Sequence, residues 1–172
     1  MRAAAVICLA LLAAALLALG PARAEVIQDP DAFVGEVFGG RPAPKVLWLT
    51  PDIQAEATAI LEHPPAQLRQ RYWSDARRSL WILEEIGKEE PITAGFVVAD
   101  GRIEHVRVLV YRESRGGEVR EPAFVKQFQG AKLAKSNRLD RDIDGIVGAT
   151  LSVGAMQRMA RLALYFDRVS RR

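Results

Sequence analysis

Apolar residues along the chain fall into three regimes: an unbroken run at the start, alternating runs in the middle and one helical stripe at the end. Ala3 to Leu19 is continuous Ala, Leu, Val, Ile and Cys, broken by Gly20-Pro21. From residue 25 to 50 the apolar anchors are sparse: Phe33, Val37 and Phe38, then Val46 to Leu49, with Gly39-Gly40-Arg41-Pro42-Ala43-Pro44 between them as a loop. Thr50-Pro51-Asp52 predicts a helix start, with Thr50 as N-cap and Pro51 at the first helical position. Ile53, Ala57, Ile60 and Leu61 share one face of that helix, and His63-Pro64-Pro65 stops it. A shorter helix is expected from Ala66 to Tyr72.

Strand signals follow. Ser79 to Ile86 alternates loosely, Ile92 to Val98 is β-branched and aromatic, and Asp100-Gly101 turns into Arg102 to Tyr111. An Asp-Gly pair between such runs predicts a hairpin with a primed turn. In the last strand Val106, Val108 and Val110 are expected on one face and His105, Arg107 and Leu109 on the other, as in a half-buried antiparallel sheet. Ser114 to Glu118 reads as a loop, Pro122 to Gln129 as a short helix closed by Gly130, and the polar stretch to Asp144 as irregular. A long helix then begins near Thr150. Leu151, Ala155, Met156, Met159, Leu162, Ala163 and Phe166 form its apolar stripe, with Gln157, Arg158, Arg161 and Arg168 opposite. Arginines crowd its C-terminal end, as the macrodipole favours. These elements predict an α+β fold: a small antiparallel sheet packed with helices, closed by a long C-terminal helix. The chain divides into residues 1–24, a lead-in over 25–74 with one or two helices, and a domain over 75–172.

The opening run sets the compartment. Arg2, the apolar stretch and the small-x-small triplet Ala22-Arg23-Ala24 form an export signal with cleavage expected after Ala24, so a periplasmic or otherwise exported location is expected. A spanning helix takes about 20 apolar residues, so an uncleaved N-terminal anchor stays open. Cys8 lacks the residues of a lipoprotein box and is the only cysteine. A processed chain therefore has no thiol for disulfides, thiolate catalysis or cysteine-ligated metals. Processing also removes Arg2 and Arg23 from the 24 basic residues, leaving 22 against 21 acidic. That near balance gives no electrostatic footprint for nucleic acid, and none is expected as a partner.

The candidate chemistry lies in Asp140 to Ser152. Gly145, Gly148 and Ala149 remove bulk just before the long helix, and Thr150 is placed to be its N-cap, with the amides of Ser152 and Val153 pointing back toward its oxygen. Helix N-termini bind phosphate through unpaired N–H groups and the dipole. An ordinary Gly-rich loop with a Thr cap is the plain alternative. Asp144-Gly-Ile-Val-Gly-Ala-Thr150 resembles the flavinylation motif of the FMN-binding domain family: Asp, two variable positions, Ser or Thr, then Gly-Ala-Thr. That family includes periplasm-facing subunits of the sodium-pumping NADH:quinone oxidoreductase and of the Rnf electron-transport complex, and exported stand-alone domains. The resemblance spans about residues 75 to 170. It includes the hairpin, the loop Arg112 to Glu118 and Phe124-Val-Lys-Gln-Phe128. It implies a flavin transferase as partner, which takes FMN from FAD and esterifies it through phosphate to Thr150, and a membrane-bound electron-transfer protein as redox partner. It further implies recognition or loop geometry for Asp144 and close approach of the transferase at Gly148 and Ala149. The isoalloxazine ring would be lined by Glu113, Arg115, Gly116, Gly117 and Glu118, with Arg115 facing negative charge on the reduced flavin. Val147 departs from the motif's Ser or Thr, and Ser152 is a second, poorer-matching hydroxyl acceptor.

Other patterns carry less. Asp140-x-Asp142-x-Asp144-Gly145 is the opening half of an EF-hand loop, but position twelve offers Leu151 instead of a bidentate Glu. His63 and His105 are isolated, so surface or cap roles are expected and no metal site is assigned. Trp48, Trp73 and Trp81 read as core or interface, Met156 and Met159 as packing, and Glu84-Glu85 and Glu89-Glu90 as solvated surface. No Ser/His/Asp or paired-carboxylate arrangement supports hydrolysis. Two classes stay open: an electron carrier with covalent FMN, and an exported accessory module of the same fold without covalent flavin, acting by binding, with calcium as a candidate ligand.

Overall fold

Three runs of alternating apolar residues become the centre of a sheet: β4 (Arg78–Ile86), β5 (Pro91–Ala99) and β6 (Arg102–Tyr111) in the computed structural model, which describes residues 24–172. Of the export signal read over residues 1–24, all but Ala24 lies outside the described residues. Asp100 and Gly101 have φ of 51° and 69°, the pair of positive values that the primed hairpin turn demands. Flanking strands come from the lead-in. β1 (Glu25–Val26) pairs with β6, and β2 (Lys45–Trp48) pairs with β3 (Arg69–Ser74), giving the antiparallel order β1-β6-β5-β4-β3-β2. A boundary at residue 75 therefore runs through the sheet. The fold is α+β.

Residues 66–72 are not a helix. Tyr72 pairs with Trp81 across β3 and β4 and stacks on it at 4.4 Å between ring centroids. This polar run near the sheet edge buries only Trp73, so the hydrophobic pattern was too weak to reveal a strand. The lead-in instead contains α1 (Pro30–Phe38), capped by Asp29, which accepts from the Ala32 amide at 2.9 Å, and closed by Gly39 at φ 68°. Its signals were Asp29-Pro30 ahead of the apolar run and Gly39 after it. The second helix, α2 (Pro51–Leu61), has Thr50 as N-cap and Pro51 in the first turn as expected.

Both sheet faces are covered. α2 and α4 (Thr150–Ser170) pack on one face against Trp81, Leu83, Ala94, Phe96, Val106 and Val108. α1 puts Phe33 and Val34 on the other, against Trp73, Leu80, Val97 and Leu109. Gly95 makes that contact possible, because a Cβ there would lie 2.4 Å from the Phe33 ring. Val110 joins Leu109 on the α1 face rather than Val106 and Val108, since a register shift between Thr93 and Ala94 places two residues of β6 against one step of β5.

Four side chains on the α4 side depart from the pattern read in the sequence. Leu151 is exposed, and the buried stripe begins at Ser152. Glu85 is buried, not solvated: Arg158 donates to it from Nη2 at 3.0 Å and from Nε at 3.2 Å, and His63 Nε2 lies 3.0 Å away. Arg158 and Arg161 therefore lie along the sheet side of α4, their heads reaching Glu85 and Glu62. Ser79 and Asp167 form a second buried polar link, joined at 2.6 Å, with the Trp81 indole donating to Ser79 at 2.7 Å. Beyond α3 (Pro122–Val125), Gly130 takes φ +80° and the chain to Asp144 is irregular, as its composition implied.

Candidate functional site

The loop after β6 is fixed by its own side chains. Glu113 folds back onto the β4–β5 connection, where the amides of Lys88, Glu89 (2.8 Å) and Glu90 (3.2 Å) all donate to its Oε1. Burial alone would raise the pKa of this carboxyl. The donors at Glu89, Glu90 and Lys88 outweigh it and hold Glu113 below the ordinary carboxylate range. Tyr111, at the end of β6, donates from its hydroxyl to the Arg115 carbonyl at 2.5 Å. Burial of the phenol pushes its pKa up.

This loop meets the start of α4 through Gly116. At φ +77°, a Cβ on Gly116 would lie 3.1 Å from Ala149 Cβ and 3.3 Å from both Ser152 Oγ and the Tyr111 hydroxyl. Ser152 Oγ also sits 3.2 Å from where a Gly87 Cβ would be. The buried Ser152 hydroxyl therefore lies where β4–β5, the loop and α4 converge.

Thr150 is the first helical residue and not the N-cap. Ala149 holds the cap position without a side-chain cap bond, and its carbonyl accepts from the Val153 amide at 2.9 Å. The Thr150 hydroxyl is thus exposed, with no hydrogen bond among the described residues. Ala149 is buried against Gly116, so its small side chain serves close packing of helix on loop. Gly148 has φ +82° with open space around it, and its role is backbone conformation. Val147 is fully exposed and Leu151 largely so, and together they flank Thr150 with apolar surface.

Beside this junction lies a cleft of about 470 Å³, lined by Glu25, Tyr111, Glu121, Arg120 and the loop from Glu113 to Glu118. That volume is within the range of small-molecule and cofactor sites, about 300–1,000 Å³. Glu113, Arg115, Gly116, Gly117 and Glu118 are thereby brought together, with Ala149 and Ser152 against them through Gly116. Gly117 has a different task from Gly116. A Cβ there would meet Arg120 at 3.3 Å, so its bare backbone lets the guanidinium lie close. Asp144 and Gly148 do not line the cleft; they sit on the exposed loop before α4, where the Asp144 amide donates to Gln127 Oε1 at 2.7 Å.

Tyr111, Arg120 and Glu25 were not singled out in the sequence. No local signal pairs Glu25 with Arg120, which are 95 positions apart. The aspartates of the partial EF-hand pattern do not converge. Asp140 accepts from the Lys132 amide at 2.9 Å, which lowers its pKa, and no group of three or more metal-ligating side chains occurs among the described residues. Among the same residues no helix is long and apolar enough to cross a membrane.

Residues 87–165 match the family model of the FMN-binding domain, a span running from the β4–β5 connection to near the end of α4. No curated protein matches the chain. That match, somewhat under half of the chain, is to an FMN-binding domain and points to a flavin-binding redox module.

Proposed function

We propose that this domain is an exported electron carrier that holds FMN esterified through its phosphate to Thr150. The supporting observation is Thr150: exposed, its hydroxyl without a hydrogen bond among the described residues, at the first position of a 21-residue helix and directly after Ala149, which packs on Gly116 of the cleft wall. A Thr serving as N-cap would have its oxygen engaged by the amide of the second or third helical residue. Displaced to the first helical position, it is free as a nucleophile. The unpaired amides of the first turn and the helix dipole favour the phosphate it would carry.

Attachment needs a flavin transferase. The bond from Thr150 Oγ to phosphorus forms as the pyrophosphate bond of FAD breaks, AMP leaves and the hydroxyl loses its proton. Flavin supplies the electron chemistry, while the protein supplies orientation and electrostatics. The loop from Glu113 to Glu118 walls the cleft, Glu113 keeping it in place by bonding the β4–β5 amides. Val147 and Leu151 add apolar surface beside the acceptor. Electrons arrive from a membrane-bound redox protein and leave to a second acceptor, in keeping with the export signal.

The test is flavin fluorescence of the denatured protein after co-production with a flavin transferase. Fluorescence is expected on the parent and on Ser152→Ala, and absent from Thr150→Ala. A fluorescent Thr150→Ala band would contradict the assignment. The alternative, an accessory module of the same fold without covalent flavin, draws on Val147 in the motif's Ser/Thr position. A dark parent beside a labelled control protein would favour it.

A further inference from the structure

The lining of the cleft is unevenly charged. It includes four glutamates (Glu25, Glu113, Glu118 and Glu121) against two arginines (Arg115 and Arg120), a side-chain balance of −2, to which cleavage after Ala24 adds the α-ammonium of Glu25. Glu113 is engaged by amides of the β4–β5 connection. Arg120 is the cation with the most defined position. Its guanidinium lies 5.5 Å from the centroid of the Tyr111 ring, rests against Gly117 and donates from Nη1 to Glu25 Oε2. Glu25 belongs to β1, a two-residue strand that, among the described residues, pairs only with β6 and places Glu25 opposite Tyr111. A cation inside the family-matched span, residues 87–165, is thus neutralised by a carboxylate outside it.

We infer that the Glu25–Arg120 pair sets the reduction potential of the flavin, with Glu25 cancelling the Arg120 charge and so keeping the potential low. This rests on the flavin occupying the cleft. Two-electron reduction with uptake of one proton leaves a negative charge on the ring, the electrons coming from an external redox partner or an electrode. An unpaired guanidinium in the wall of the cleft would favour that charge, and an unpaired carboxylate there would oppose it. The pair is partly solvated, with side-chain exposures of 32% for Arg120 and 62% for Glu25, which moderates the effect and leaves the contact open to competition by a docking partner's charges.

The experiment is spectroelectrochemical titration of the flavin-loaded protein, its Glu25→Gln and Arg120→Gln variants and the double variant, with loading verified by mass in each. Glu25→Gln should raise the equilibrium constant for reduction about tenfold, which is about 30 mV for a two-electron couple. Arg120→Gln should lower it, and the double variant should return toward the parent. A merely structural contact, whose loss opens the cleft to water, would move both single variants in the same direction. Shifts of one sign, or either single variant within threefold of the parent, would overturn the role of the pair. A parent that carries no flavin would overturn the reading of function on which the inference rests.

Discussion

Replacing Gly116 by alanine probes the junction between loop and helix with an internal control in the same chain. Gly116 and Gly101 both have left-handed backbones, at φ +77° and +69°. Alanine in that region costs about 1–2 kcal/mol through the contact of Cβ with the following carbonyl oxygen. Around Gly101 there is nothing within 4 Å, so Gly101→Ala should show that backbone cost alone. Around Gly116 the added methyl meets Ala149 Cβ at 3.1 Å, and Ala149 has no rotamer by which to retreat. Ser152 and Tyr111 can rotate away only by leaving buried positions, and Tyr111 by releasing the Arg115 carbonyl. Overpacking of this kind adds about 1–3 kcal/mol, so Gly116→Ala should destabilise by about 2–5 kcal/mol in all. Urea denaturation reads the difference: at a slope of about 2 kcal/mol/M the midpoint should fall by about 1–2.5 M, with the slope unchanged. The same variant should take up flavin poorly, because the loop is pushed off the helix that carries Thr150, whereas Gly101→Ala should load normally. Equal destabilisation by the two substitutions, within about 0.5 kcal/mol, would refute the close packing of Gly116 on Ala149.

Further predictions concern other contacts. Gly95→Ala puts a methyl 2.4 Å from the Phe33 ring and should displace α1 at a cost of about 1–3 kcal/mol or more, recovered in part by Phe33→Leu; a neutral Gly95→Ala in thermal melts would count against the α1 packing. Thr150→Ala removes no cap bond and should change stability by under about 0.5 kcal/mol in urea denaturation; a loss of about 1 kcal/mol or more would mean that Thr150 caps the helix after all. The hydrogen bond that His63 donates to Glu85 raises the His63 pKa above its ordinary value of about 6.5, so its contribution to stability is fully present below that value and fades as pH rises through the raised one. The stability difference between the parent and His63→Gln should accordingly shrink from pH 6 to pH 8, and parallel pH profiles would remove His63 from the buried Glu85 network. Asp144→Ala, on an exposed loop, should leave stability unchanged within about 0.5 kcal/mol while slowing flavin attachment; full-rate attachment would deny the carboxylate a part in recognition.

Much of the fold could be read where local chemistry is decisive. The Asp100-Gly101 turn, the Thr50 cap and the apolar stripe of α4 each carry their own signal over a few residues, and each lies where expected except that Leu151 is exposed. The strand over residues 69–74 was hidden because its stability comes from neighbours on both sides rather than from alternation of its own. Glu85 looked solvated because nothing in a run of acidic residues reveals that Arg158 and His63 arrive from α4 and the end of α2. The candidate site was legible in part. Its linear motif and its loop stand out, but their meeting through Gly116 is a tertiary contact, and Glu25 reaches Arg120 only because β1 closes the sheet edge beside β6. The displacement of Thr150 by one position, from cap to first helical residue, turns on the backbone of Gly148 and Ala149, which residue spacing cannot resolve.

The central claim is that Thr150 carries the flavin, and intact-mass analysis with peptide mapping of the protein, co-produced with a flavin transferase, tests it most directly. A mass gain of one FMN located on the peptide containing Thr150, and lost in Thr150→Ala, is the predicted result. An unmodified parent beside a modified control protein, or a flavin mapped to another residue, would contradict it.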